Sequence, residues 1–140
     1  MGKPQDTPLD PLVHSSLFEY DFAIDGGAVG TIAIPGIPIP PNCLIKSGSI
    51  WVKDAATSGT STGTIAFEIV AASADILAAT IVTSLTANAL LDVVPDGTAA
   101  NMIRTTDHVT AISGIIAVEA LTAGKICVQL DWVEMGKAYV

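Results

Sequence analysis

Basic residues are scarce. Six Lys and Arg stand against fourteen Asp and Glu in 140 residues, a formal net charge of −8 with histidines neutral. The six (Lys3, Lys46, Lys53, Arg104, Lys125 and Lys137) are scattered along the chain. Binding a phosphate backbone needs clustered cations, so nucleic acid is not expected as a partner, nor is an anionic membrane surface. Charge of both signs is sparse, at 14% against roughly 25% in an average soluble domain. Two readings of that scarcity are open: part of the surface is covered in use, or the chain is a compact β-protein with a Thr- and Ala-rich exterior.

Cysteine is nearly absent. Cys43 in "NCLIKSG" and Cys127 in "KICVQLDWV" sit in apolar, strand-like runs and read as small buried hydrophobes. A disulfide between them is open but has no framework around it. A zinc site would need more Cys or His at close spacing, so no metal is expected. Long apolar runs are missing too. No stretch of 18 occurs to span a membrane, and "MGKPQDTPLDP" has no hydrophobic signal region. Synthesis without export through a signal peptide is the expectation. Asp6 stands where a myristoylation motif wants Ser or Thr.

What is present is period-two alternation. The length fits one domain, and a chain of this size buries roughly 68% of its unfolded surface without staples. In "LFEYDFAI" the residues Phe18, Tyr20, Phe22 and Ile24 share one face and Glu19 and Asp21 the other. "VGTIAI" at 29–34 follows. "PGIPIPPN" carries four prolines and must run extended along a sheet edge. The strand at 43–55 sets Ile50 and Val52 against Trp51. "TSGTSTG" at 57–63 reads as a flexible loop. "GTIAFEIV" sets Ile65, Phe67 and Ile69 against Thr64, Ala66 and Glu68. "SADILAAT" is the only helical signal, one turn capped by Ser73 and carrying Ile76 and Leu77. Short strands are expected at 90–94, 101–105 and 108–112. "IIAVEAL" and "KICVQLDWVEM" read as a closing hairpin across Thr122, Ala123 and Gly124. Short strands separated by turn signals, with no long helix, indicate a single all-β antiparallel sandwich over residues 16–140. Residues 1–15, with Pro4, Pro8 and Pro11, form an extended N-terminal arm. Its Leu9, Leu12 and Val13 either lie on another surface or belong to a frayed terminus.

The glycine run "DGGAVG" at 25–30 invites a phosphate-loop reading. A P-loop needs Lys after its last glycine, where this chain has Thr31, and both phosphate motifs open a helix. Asp-Gly and Gly-Gly instead suit the positive φ angles of a turn. Other chemistry is equally thin. His14 and His108 repeat at no metal or triad spacing. Ser47 and Ser113 form no nucleophile elbow. Glu68 and Glu119 stand alone as solvated strand carboxylates. Asp92 and Asp96 are too sparse for a calcium loop. No catalytic residue and no cofactor is expected.

The order "YDFAIDGGAVGTI", a proline-rich link, "IKSGSIWVKDAATSGTSTGTIAFEIV", "ADILAAT" and "ALTAGKICVQLDWVEM" resembles a group of small structural proteins of tailed bacteriophages. The likeness covers residues 18–134 and rests on turn and strand chemistry. It implies a jelly-roll-like sandwich acting as a capsid decoration (cement) protein. Such a protein is a homotrimer on the outer surface of the head, with the major capsid protein as partner, and is synthesised in the host cytoplasm. This chain departs in its longer proline-bearing arm. The contact residues expected are Leu9, Leu12 and Val13 of the arm and Ile37, Pro38 and Ile39 of the proline-rich link. The competing class is a tail, neck or fibre component that binds a receptor or glycan, with Trp51 beside Lys53 and Asp54, or Trp132 beside Asp131, as the sugar platform. Both tryptophans also fit core or trimer-interface packing.

Overall fold

The computed structural model describes residues 13–69, 75–105 and 110–134. Among them run β1 (His14–Asp21), β2 (Gly30–Ala33), β3 (Cys43–Ser58), β4 (Thr64–Glu68), β5 (Leu77–Ile81), β6 (Leu90–Asp92), β7 (Ile103–Arg104), β8 (Ser113–Ala117) and β9 (Leu121–Glu134). Among the described residues helix is confined to one turn, α1 (Phe22–Asp25), and a 3₁₀ turn at Val82–Ser84. The strands form two antiparallel sheets. A five-stranded sheet has the order β1-β9-β3-β6, with β7 also on β3, and a four-stranded sheet has the order β2-β8-β4-β5. Packed face to face, they make the β-sandwich that the alternation calls for.

The pairing is nested. β1 pairs with β9, β2 with β8, β3 with β6 and β7, and β4 with β5. The chain is thus one long hairpin with its tip between β4 and β5. Rolling that hairpin lays β9 against β3 and β8 against β4. Alternation decides which side faces inward. Phe18 and Tyr20 of β1, Ile50 and Val52 of β3, and Ile126, Val128 and Leu130 of β9 enter the core from one sheet. Ile65 and Phe67 of β4 and Ile116 of β8 enter from the other. Each such side chain, fully removed from water, contributes about 1.5–3 kcal/mol. Four register shifts between β3 and β9, from Ile45/Ser47 to Thr57/Ser58, bend these two long strands around the core.

The proline-rich link runs extended along a sheet edge, as its composition requires. The Glu19 amide donates to Pro35 O at 3.0 Å and the Ile37 amide to Leu17 O at 3.4 Å. This covers the open side of β1. Gly36 is needed there, because a Cβ would collide with Leu17 O and the Phe18 ring.

Several expectations are corrected. The alternating run stops at Asp21. Phe22–Asp25 coil into α1 instead, and Ile24 is 80% exposed. The Asp21 carboxylate accepts from the Ala23 amide and Asp25 accepts from the Asp21 amide, so the two aspartates hold the turn from both ends. The glycine run forms a corner, with Gly26 at φ 82° and Gly30 at φ 140°. It carries the chain from one sheet to the other rather than closing a hairpin. Residues 77–81 are strand β5 and not helix; Ser73 lies outside the described residues. β8 and β9 also belong to different sheets, so the closing hairpin does not exist. Thr122, Ala123 and Gly124 lie inside β9, and the real corner is at Val118–Ala120. Ala66 and Glu68, expected outward and solvated, are 6% and 5% exposed. β1 begins at His14, within the span read as arm.

Candidate functional site

Val13, Ile37 and Pro38 are exposed, Val13 at 60% and Ile37 at 68%. The Phe18–Gly36 bridge places Ile37 beside Leu17, which is 53% exposed. Val13 immediately precedes β1, so Val13, Leu17 and Ile37 line one margin of the five-stranded sheet. Leu17 escapes a sequence reading because its neighbour, Ile37, lies in the proline-rich link, outside any strand. Ile39 is a correction. It is fully buried, and its amide and carbonyl pair with Thr110 at 2.7 and 2.8 Å. Its side chain belongs to the core and offers nothing to a partner. Leu9 and Leu12 lie outside the described residues.

The opposite margin of the same face carries Trp51, 44% exposed, and Leu90, 78% exposed, paired across β3 and β6. Between the margins the face is polar. The Ser15 hydroxyl donates to Asp131 at 2.6 Å and that of Ser47 to the same carboxylate at 3.2 Å. Ser49 donates to Gln129 at 3.3 Å. Lys53 bridges to Glu19 at 2.6 Å, passing over the β9 strand between them. Its ammonium lies 5.5 Å from the Trp51 ring centroid, and the Glu19 hydrogen bond raises its pKa. The two apolar margins therefore flank a belt of side chains already bonded to one another. Such a belt is suited to flat adhesion, with Cys127, 7% exposed, beneath it in the row between Glu19 and Trp51.

The two tryptophans differ. Trp132 is 9% exposed, donates its indole N–H to Ser16 at 3.0 Å and stacks on His14 at 4.6 Å. It packs the interior, leaving Trp51 as the tryptophan available to a ligand.

The carboxylates singled out in the sequence hold loops. Glu119 lies in the β8–β9 corner and accepts from the amides and hydroxyls of Thr60 and Thr62. Hydrogen bonds from Ser58 and Thr60, then the two loop amides, pull its pKa from 4.5 down to about 2. The loop read as flexible is thus tied down by a carboxylate. Asp96 accepts from the Thr98 amide and hydroxyl and from Asn101, and these bonds lower its pKa. Among the described residues no group of three or more His, Cys, Asp or Glu is placed to hold a metal ion.

Tyr20 donates its hydroxyl to Gly26 O at 2.7 Å; burial, then Asp25 and Asp21, push its pKa up to about 12. Cys43 and Cys127 are free and buried. On β9, Cys43 is paired with Glu134 and Cys127 lies seven residues away. At about 3.3 Å per residue that separation is far beyond disulfide reach. Burial raises both thiol pKa values.

No protein-family model and no curated protein matches the chain. Solved structures do. A chain of the cyanophage Pam1 capsid asymmetric unit aligns with a TM-score of 0.62 at 16% identity, over 96% of this chain and 97% of that one. A chain of the capsid of Ralstonia phage GP4 aligns with a TM-score of 0.62 at 17% identity, over 94% and 92%. At these identities the likeness is one of fold: this chain has the fold of a chain found in each of two phage capsid assemblies.

Proposed function

We propose that this chain is a virion structural protein of a tailed phage, a decoration (cement) protein seated on the outside of the head. The observation that carries the reading is the fold likeness over nearly the whole length of both chains. The nested hairpin rolled into two sheets is read as a jelly roll, with strands set inside one another as that winding requires. The margins at Val13, Leu17 and Ile37 and at Trp51 and Leu90 face the major capsid protein, so that one copy bridges neighbouring capsid subunits. A homotrimer multiplies weak contacts through effective concentration. Leu9 and Leu12, which lie outside the described residues, are further proposed contacts with the capsid protein. The test is cosedimentation of purified protein with mature undecorated heads at micromolar concentration, followed by heating with and without chelator. Binding with raised resistance supports the reading, and no binding ends it.

A second reading, a tail, neck or fibre module for a receptor or glycan, is favoured by one observation. Trp51 presents an exposed ring flanked by the Lys53–Glu19 pair, and aromatic faces beside polar groups suit sugars. A glycan array with no hit removes it.

A further inference from the structure

Charge is divided unequally between the sheets. The strands of the five-stranded sheet carry acidic and basic side chains throughout, from Glu19 and Asp21 on β1 to Asp131 and Glu134 on β9. The four strands of the other sheet read GTIA, TIAFE, LAATI and SGIIA. They hold one charged residue, Glu68, and it is 5% exposed. Register fixes what this sheet turns outward. Thr31, Ile115 and Ala66 form one row, and Ala33, Ser113 and Glu68 the next. Ala117, Thr64 and Ile81 form the third. The opposite side of the same strands, with Ile116, Ile65 and Phe67, is core. The outward side is therefore a surface of Thr, Ala, Ser and Ile with no exposed charge on its strands, open at Thr31, Ala33 and Ile81 and already buried at Ala66 and Glu68.

We infer that this uncharged face is where copies of the chain meet. The occupant follows from charge. Each copy carries a net −8, so contact between two copies through acid-bearing surface sets like charges against each other. A different partner rich in Lys and Arg would be drawn to the other sheet, where Asp54 and Asp92 are exposed. A second copy is the partner for which a charge-free face matters most, and interface centres are depleted of charge. Short side chains let two sheets approach closely. A closed symmetric assembly turns the same face of every subunit toward a shared axis. The capsid-facing margins described above lie on the opposite sheet and stay free. The inference rests on the self-association included in the reading above. Its test uses no heads, so the two fail separately.

The test is sedimentation of the purified chain across a concentration series, with Thr31→Glu/Ile81→Glu and Ser49→Glu as variants. All three positions are exposed, so the fold is retained, as circular dichroism checks. Wild type associates, and association tightens as NaCl rises from about 50 to 500 mM, because salt screens only the repulsion. The double variant associates about a hundredfold more weakly, whereas Ser49→Glu on the other sheet associates as wild type. If the double variant loses its β-sheet spectrum, Thr31→Glu alone, at an edge strand, gives the same readout. A wild type that stays monomeric, an unaffected Thr31→Glu variant, or equal loss in Ser49→Glu overturns the inference.

Discussion

The carboxylate of Glu119 takes the Thr60 amide at 2.8 Å and the Thr60 hydroxyl at 2.8 Å, joining the β8–β9 corner to the β3–β4 loop. Because the fold holds this pKa near 2, below the ordinary 4.3 or so of a free glutamate, the folded state favours the ionised form. Its contribution is fully present above about pH 4.5 and is lost as pH falls through about 2. Amide exchange at Thr60 and Thr62 should stay slow down to about pH 3 and quicken below it. In Glu119→Gln the same amides should exchange faster at pH 6, with no such acid step.

Val118 sits at φ 70° and is 74% exposed. A β-branched residue there is strained, and no buried contact offsets the cost. Val118→Gly should stabilise the chain by about 1 kcal/mol. A denaturant midpoint that falls rather than rises would contradict this.

Gly36→Ala should do the opposite. The added methyl meets Leu17 O and the Phe18 ring, so the link must lift away from β1. The expected loss is about 1–3 kcal/mol, with the Ile37 amide exchanging faster. An unchanged melting curve would mean the link is not held as described.

Leu17→Ser combined with Ile37→Ser probes the first apolar margin. Both side chains are more than half exposed, so stability should shift by no more than about 0.5 kcal/mol. Binding to undecorated heads should weaken at least tenfold. Full binding by this variant would move the contact to another surface.

Neither thiol should react readily while the chain is folded. Cys43 is fully buried, Cys127 is 7% exposed, and burial raises both pKa values. Thiol titration at pH 8 should be slow in buffer and should count two thiols in denaturant. Rapid reaction of either in the native protein would place it outside the core of the sheet.

The local alternation of Phe18, Glu19 and Tyr20, of Ile50, Trp51 and Val52, and of Ile65 and Phe67 was legible, because burial of one sheet face repeats every second residue. The same rule misread Ile24, which is exposed, and the strand form of Phe22, whose ring still packs against the core. Their alternation continues, but Asp21 and Asp25 bind each other's turn and the chain must cross to the second sheet. It also misread Thr122–Gly124 as a turn. That stretch is strand lying against the bulged end of β3, as the Thr57–Ala123 pair records, while the true corner contains no glycine. The exposed Ile37 and Val13 were readable as apolar residues beside prolines. Leu17 and Glu119 were not, since each acquires its role from a segment about 20 and 59 residues away, respectively.

β9 lies between β1 and β3 and is the last strand described. A ribosome must therefore deliver it before the first strand gains its partner within the sheet. Until then β1 and β3 have an empty lane between them, and the five-stranded layer cannot close. Pairing between the two ends of the chain is a non-local contact of the kind that slows folding. A product cut short before β9 leaves this sheet without the strand that joins its two sides.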